Sequence, residues 1–242
     1  MAKKKVSRKA LLKEPDEFLS FSRRLFLFVM EHQVQISIGL GIFFAVILAI
    51  SGIRYFSDRA ETNASALVAK AVEKYETAMK DKTAAEAYAE VQTDFQKILK
   101  AYSGKESGKL ARVIYAGVCY NGGAFDKAIQ LYNEAIQDFD ANPSFKNLIL
   151  SSLGYAYEGK KDFKNAVKYF EQITKAPELI MKDEAFFNLG RLYAEMGNTD
   201  KSMDAFKKII ADYGDSIYIE LVKETLRSEE LVNDPAESAK NG

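Results

Sequence analysis

The sequence is poor in the residues that most often build disulfides and metal sites. It contains one cysteine and one histidine in 242 residues, so an internal disulfide and any metal motif with two histidines are excluded. It has four prolines and no tryptophan, and its abundant alanine, lysine, glutamate and tyrosine favour an all-α chain. The formal net charge is +0, which gives no overall field that would attract nucleic acid.

Charge is also absent from one long run, Ile36 to Ile53, with the sequence ISIGLGIFFAVILAISGI. A helix of this length spans roughly 27 Å, close to the hydrocarbon thickness of a bilayer. Its leucine, isoleucine, phenylalanine and valine side chains favour insertion into lipid by roughly 3 to 6 kcal/mol. A buried core helix is the alternative, but such a helix normally has a polar face. We therefore predict a transmembrane signal anchor at residues 34–54, in contact with membrane lipid.

Basic residues are concentrated before this run. Residues 1–33 contain eight lysines and arginines against four acidic residues, which predicts a cytoplasmic N-terminus and a domain on the opposite side of the membrane. A cleavable signal peptide is the alternative, but it would be shorter and nearer the start. Ala49-Ile50-Ser51 is also a poor cleavage site.

Residues 1–33 form the predicted basic cytoplasmic arm. Pro15, Asp16 and Glu17 indicate the start of a helix, because proline and acidic residues are favoured in a first turn. The apolar residues that follow are interrupted by Arg23 and Arg24. Two interpretations stay open: an amphipathic helix lying on the cytoplasmic leaflet, and a simple extension of the span into the cytosol.

Small residues recur every four positions within the span and would form one stripe on the helix. Such a stripe lets a second helix approach closely. The predicted packing stripe consists of Ser37, Gly41, Ala45 and Ala49.

Three later stretches are similar to one another: Tyr115 to Tyr132, Leu153 to Phe170 and Leu189 to Phe206. Equivalent positions lie about 36 to 38 residues apart, a period typical of a helix-turn-helix solenoid. Glycines are expected to end the first helices with a positive φ, and aspartates to open the second helices. These residues are Gly122–Gly123, Gly159 and Gly197, and Asp126, Asp162 and Asp200.

Weaker signals extend the repeats in both directions. Val91, Phe95 and Ile98 predict the second helix of a fourth copy, whose first helix would be residues 65–80 and nearly continuous with the span. Residues 217–231 predict a closing helix, and the polar residues 233–242 a disordered tail. The predicted fold is all-α: a single transmembrane helix followed by a helical-hairpin solenoid at residues 55–232.

The stretches resemble the tetratricopeptide repeat. The second is the closest, because all five of its matching residues are in register: Leu153, Gly154, Tyr157, Ala166 and Phe170. The departures are the lack of a tryptophan at the start of each copy, displaced closing prolines and a period longer than the usual 34 residues.

This resemblance implies a peptide-binding groove along the concave side, lined by the first helices. The repeat register places nine residues there: Leu110, Val113, Tyr120, Asn121, Leu148, Ser151, Tyr155, Phe187 and Arg191. Their mixed character suits an amphipathic helix or an extended apolar segment of a protein partner. Ser151 and Tyr155 replace the lysine and asparagine of carboxylate-binding versions, so a charged C-terminal tail is not expected. Alternatively, neighbouring helices or self-association cover these side chains.

No catalytic, cofactor or metal motif is present in the sequence. The stretch nearest to phosphate-binding spacing runs from Gly197 to Ser202, and Asp200 would head a repeat helix there. Cys119 replaces a repeat core residue, which suits a buried, inert thiol. A cysteine–histidine pair would need His32 from the other side of the membrane. We therefore predict neither a cofactor nor an enzymatic activity, and an enzyme is the least favoured hypothesis.

The layout of a basic arm, one anchor and repeats directly after it resembles bacterial inner-membrane tetratricopeptide proteins of the ancillary SecYEG translocon subunit family. The resemblance implies a periplasmic, non-enzymatic scaffold. It also implies protein partners, namely translocon subunits, periplasmic chaperones or client chains. The alternative hypothesis is a structural protein that organises the envelope or cell wall by self-assembly as a homo-oligomer.

Overall fold

A computed structural model describes residues 17–177 and 179–233 of the chain. Residues 1–16 of the basic arm, which include Pro15 and Asp16, lie outside these residues, as does the predicted C-terminal tail after residue 233. The described part is all-helical and has no strand, which confirms the predicted all-α class. Its helices are α1 (Glu17–Glu31), α2 (Gln33–Ala78), α3 (Ala84–Tyr102), α4 (Glu106–Asn121), α5 (Phe125–Asp138), α6 (Pro143–Gly159), α7 (Phe163–Lys175), α8 (Lys182–Glu195), α9 (Thr199–Asp212) and α10 (Ile219–Asn233).

The chain divides into two compact units between Arg59 and Ala60. In the first unit, backbone hydrogen bonds continue across the junction of α1 and α2, because the amide of His32 donates to Phe28 and its carbonyl accepts from Ile36. Among the described helices, α2 is the one long and apolar enough to cross a membrane, and its most apolar window has no buried residues. Side chains such as Phe43, Phe44 and Leu48 are exposed.

The second unit is a solenoid of helical hairpins. The end of α2 forms the first hairpin with α3 through side chains of one shared core, Val68, Ala71, Val91 and Phe95. The next hairpins are α4 with α5, α6 with α7 and α8 with α9, and α10 packs on α9 and closes the series. The predicted core positions Val91, Phe95 and Ile98 of the weakest copy are buried. The ring of Phe95 stacks on that of Tyr115 with centroids 5.1 Å apart, so the first hairpin joins the second through aromatic packing.

Close contact between a glycine and an aromatic ring sets the distance within two hairpins. A Cβ atom added at Gly154 of α6 would lie 2.5 Å from the ring of Phe170 of α7. A Cβ atom added at Gly190 of α8 would lie 2.4 Å from the ring of Phe206 of α9. Real Cβ atoms do not approach this closely, so only glycine lets the paired helix pack at this separation.

The turns between paired helices follow the sequence prediction in part. Gly123 and Gly197 have φ values of 76° and 72°, the left-handed conformation that glycine favours. In the α6–α7 turn, however, Lys161 has the positive φ (60°) instead of Gly159. Gly159 is needed for another reason, because a Cβ there would lie 2.5 Å from the ring of Phe125 in the preceding hairpin.

The predicted aspartates all lie at the starts of the second helices, but only one of them is a cap. Asp162 precedes α7, and its carboxylate accepts a hydrogen bond from the Asn165 amide at 3.2 Å. In α5 and α9 the aspartate lies inside the first turn, and Ala124 and Asn198 hold the capping position.

Glu61 of α2 caps a neighbouring helix. Its carboxylate accepts hydrogen bonds from the amides of Ser107 (2.6 Å) and Glu106 (3.1 Å) in the first turn of α4. The N-cap residue of α4, Lys105, supplies no side-chain capping bond. Hydrogen bonds from Ser107 and then from Glu106 lower the pKa of Glu61, since they stabilise the ionised carboxylate. The first hairpin therefore supplies the side-chain cap that Lys105 does not, and adds a second negative charge beside Glu106 at the N-terminus of α4.

The substitution Gly154→Ala is expected to destabilise the protein by about 1–3 kcal/mol, because the new methyl group would overlap the buried ring of Phe170. The measurement is the denaturant midpoint of the full chain in detergent. Gly117→Ala in α4 is the matched control. Its added Cβ would have ordinary contact, 3.6 Å from the Tyr132 hydroxyl, and should be neutral or stabilise by up to about 1 kcal/mol. Equal midpoints for the two variants would contradict the close-packing argument.

The substitution Glu61→Gln is expected to lower stability at neutral pH by about 0.3–1 kcal/mol, since glutamine cannot place a charge at the start of α4. Because the pKa of Glu61 is lowered in the folded chain, the full difference in stability between the wild type and the variant should be present above pH 4.5, the ordinary pKa of a glutamate. The difference should be lost as the pH falls below 4.5 and through the lowered pKa of the folded chain. Unfolding measured between pH 7 and pH 3 tests this. The control is Glu76→Gln, at an exposed position of the same helix, and a pH-independent difference for Glu61→Gln would refute the prediction.

Candidate partner-binding groove

The nine predicted groove residues all lie on the first helices α4, α6 and α8, and we call the surface of these three helices the first-helix face. The residues differ widely in exposure. Leu110 and Leu148 are 41% and 44% exposed, and Asn121 is also exposed. Ser151 is only 2% exposed, so it offers no open surface to a partner. The others are half-buried: Val113, Tyr120, Tyr155, Phe187 and Arg191.

A polar network joins α6 to α8 and occupies several of these residues. Ser151 Oγ and Tyr155 OH both donate to Glu184 Oε1, at 2.9 and 3.0 Å. The Asn188 side-chain amide donates to Tyr155 OH at 2.9 Å, and Asn188 is itself buried. Burial raises the pKa of Tyr155 and neighbouring Glu184 raises it further, so its hydroxyl stays protonated and able to donate.

The network continues at Arg191, which makes a bidentate pair with Glu158 of α6 at 2.9 and 3.0 Å. Arg191 also donates to Asn188 Oδ1 at 2.7 Å. Its guanidinium lies over the ring of Phe187, 6.0 Å from the centroid. Because all these groups are half-buried or buried, the pair is worth more than an exposed ion pair and fixes α8 against α6.

Further contacts cover both ends of the first-helix face. At its start, Asn121 donates from Nδ2 to Tyr75 OH of α2 at 3.3 Å. At its end, the ring of Phe187 stacks on that of Tyr218, with centroids 4.4 Å apart. The exposed apolar surface of the face therefore centres on Leu110 and Leu148, at equivalent positions of α4 and α6.

The sequence interpretation missed four members of this arrangement: Glu158, Glu184, Asn188 and Tyr218. A signal for three of them exists in the sequence, because polar residues pair at a constant separation of 33. This separation holds for Ser151 with Glu184, Tyr155 with Asn188, and Glu158 with Arg191. Repeat equivalents are about 36 residues apart, so each bond joins positions offset by nearly one helical turn.

The described residues offer little reactive chemistry. No group of three or more histidine, cysteine, aspartate or glutamate residues among them could hold a metal ion. Burial raises the pKa of the Cys119 thiol to about 11, so the thiolate needed for nucleophilic attack is scarce at neutral pH. The arrangement is suited to holding helices together and presenting a surface.

The predicted packing stripe of α2 is open in the described structure. Ser37, Gly41, Ala45 and Ala49 are all exposed, and a Cβ added at Gly41 would meet no atom within 4 Å. The use of the stripe by a second helix stays a prediction.

Comparison with known proteins identifies the repeat type. The sequence matches the family described as tetratricopeptide repeat-like domain over residues 28–229, which includes the apolar part of α2 and all four hairpins. No curated protein matches the sequence significantly. A crystal structure of BtubC (BKLC) from P. vanneervenii is similar, with 17% sequence identity and a TM-score of 0.45, covering 66% of this chain and 74% of that chain.

The substitution Tyr155→Phe is expected to destabilise the protein by about 1 kcal/mol, because it removes the hydroxyl between Glu184 and the buried amide of Asn188. The edge-to-face contact of the ring with Phe170 would be kept. Thermal or denaturant unfolding measures the change. Tyr213→Phe is the control, since the Tyr213 hydroxyl has no hydrogen bond to the described residues. If both variants unfold at the same midpoint, the network does not contribute to stability.

Proposed function

Because this chain belongs to the tetratricopeptide repeat-like domain family, we propose that it is a membrane-anchored scaffold that binds protein partners on its first-helix face. The single observation that carries the proposal is the extent of the family match, residues 28–229. The match includes the apolar segment as well as the repeats, which supports proposing the anchor and the scaffold together.

The anchor is proposed on the exposure and composition of α2. Its apolar segment has no buried residue in the most apolar window, although a core helix of a folded domain would cover such side chains. An exposed apolar surface of this size marks an interaction site, and its length matches the bilayer core. The basic residues before it favour an N-terminus in the cytoplasm and hairpins on the other side.

The proposed location is the bacterial inner membrane, with the hairpins in the periplasm beside the Sec translocon. This step rests on the resemblance to the ancillary translocon subunit family in the order of basic arm, anchor and repeats. The proposed partners are translocon subunits, periplasmic chaperones or the chains they carry. A non-catalytic role agrees with the buried, protonated thiol of Cys119.

The open part of the first-helix face decides what kind of segment would bind. Leu110 and Leu148 supply exposed apolar side chains, and the half-buried ring of Tyr120 lies on the same helix as Leu110. The bonds between α6 and α8 already occupy the polar groups of Ser151, Tyr155 and Arg191. A partner would therefore bind mainly through apolar side chains, as an amphipathic helix or an extended apolar segment does.

Photo-crosslinking in intact cells tests the proposal. A crosslinking amino acid at Leu110 or Leu148 is expected to capture translocon or chaperone chains. The same amino acid at Gln137, an exposed position of α5, should capture them at least about tenfold less, since it lies on a second helix. Capture of neither class at Leu110 and Leu148 would refute the translocon proposal, and capture mainly of this same chain would favour the self-assembling envelope protein.

A C-terminal tag on the same variants controls for topology. Protease added to spheroplasts should digest the tag if the hairpins are periplasmic. A tag that stays protected from the protease would contradict the proposed orientation, whichever proteins the crosslinks capture.

A further inference from the structure

A second surface, separate from the first-helix face, lies along the first hairpin. A groove of about 550 Å³ runs between the C-terminal part of α2 and α3. Its apolar floor includes Leu67, Ala71, Ile98 and Ala101. Leu67 is 44% exposed, and Ala101 is also exposed. We call this surface the α2–α3 groove.

The α2–α3 groove faces away from the rest of the solenoid. On α2, the side chains of Glu61 and Tyr75 form hydrogen bonds with α4. At 100° per residue, Leu67 and Lys70 project from a different side of that helix. On α3, Phe95 packs on α4, whereas Lys97 projects from the far side. The groove is therefore on the side where a preceding hairpin would lie.

Later hairpins have a neighbour on the equivalent side. The hairpin of α6 and α7 receives the ring of Phe125 from α5 so closely that Gly159 cannot carry a Cβ atom. The first hairpin is the first of the described solenoid, so no preceding hairpin covers it there. It keeps an apolar seam of the kind that neighbouring repeats bury against each other.

Unpaired positive charge lies along this groove. Lys70, Lys74 and Lys97 line it, against one acidic residue, Asp94. Lys74 is engaged, since its ammonium donates to Asp94 Oδ2 and to the Glu90 carbonyl, both at 2.8 Å. Lys70 and Lys97 form no ion pair with any residue that the structure describes. The residues that line the groove therefore carry a formal net charge of +2. The adjoining cavity toward Ala78 shares Lys70 and Lys74 and is also lined by Glu73, Asp81, Lys82 and Glu90.

We propose that the α2–α3 groove binds one amphipathic helix of a partner protein, whose apolar side is flanked by acidic residues. The part of α2 that lines the groove runs from Leu67 to Lys74, and a helical stretch of this length is roughly 12 Å long, about two turns. A helix fits better than a strand, because the backbone groups of α2 and α3 are already bonded within their helices and offer no edge for strand addition. Carboxylates flanking the apolar side would pair with Lys70 and Lys97.

A pair of designed peptides tests this with the full chain in detergent micelles. Both peptides are fluorescein-labelled helices with one leucine stripe, flanked by glutamates in the first and by lysines in the second. Fluorescence anisotropy should give saturable binding of the glutamate peptide and at least about tenfold weaker binding of the lysine peptide. Equal binding of the two peptides, or none, would overturn the proposal.

Two variants locate the binding site. The double substitution Lys70→Glu with Lys97→Glu is expected to weaken binding of the glutamate peptide at least about tenfold and to strengthen binding of the lysine peptide. The matched control is Lys164→Glu with Lys207→Glu, which reverses two exposed lysines on the second helices α7 and α9. A similar loss of glutamate-peptide binding in the control variant would overturn the assignment of the site.

The substitution Ala101→Trp should block the groove and abolish peptide binding without changing any charged residue. Circular dichroism checks that all variants are folded.

Self-association is measured on the same samples by analytical ultracentrifugation. If the chain dimerises and the Lys70→Glu, Lys97→Glu variant loses the dimer without changing peptide binding, the occupant is a second copy and the proposal is wrong. The crosslinks at Leu110 and Leu148 should persist in this variant, because they report on the first-helix face. The proposed function of the first-helix face and the proposed α2–α3 binding site can therefore be refuted independently of each other.

Discussion

The contact between a first-helix glycine and a second-helix aromatic ring is the constraint on which the hairpins depend. Phe170 and Phe206 pack directly on the backbone at Gly154 and Gly190, so the separation of the paired helices is set by the thickness of one ring. The second hairpin has buried Ala116 in place of glycine. Because packing within hairpins is fixed in this way, the first helices can meet one another in a constant register.

That register explains why the polar bonds between α6 and α8 repeat. Once two first helices are held with a stagger of about one turn, each polar residue on one helix meets a residue 33 positions later on the other. The polar groups of Ser151, Tyr155 and Glu158 therefore form hydrogen bonds between repeats and are not free to bind a partner. The resemblance to peptide-binding repeats suggested an open groove that included Ser151, Tyr155 and Arg191, but the bonds leave mainly the apolar side chains Leu110 and Leu148 exposed.

The hairpins were predictable from the sequence because their causes are local. Glycine and aromatic residues recur at short spacing, and the apolar period identifies each helix without knowledge of its neighbours. The polar network was not predictable in the same way, since it depends on the stagger between helices that are distant in sequence. Gly159 is an example: it ends α6 as predicted, but glycine is needed there because the ring of Phe125 from another hairpin lies against it. The positive φ moved to Lys161, where no local residue type indicates it.

The distribution of unsatisfied charge separates the two candidate surfaces. On the first-helix face, Arg191 is paired with Glu158 and Tyr155 with Glu184, so charge there serves the solenoid and little is left for a partner. In the α2–α3 groove, Lys70 lies beside apolar side chains and has no acidic partner among the described residues. A later hairpin has a neighbouring repeat on this side, whereas the first hairpin has none among the described residues. The same packing rule that builds the solenoid therefore leaves an apolar groove with lysines beside it at the first hairpin, which is why the proposed second binding surface lies there.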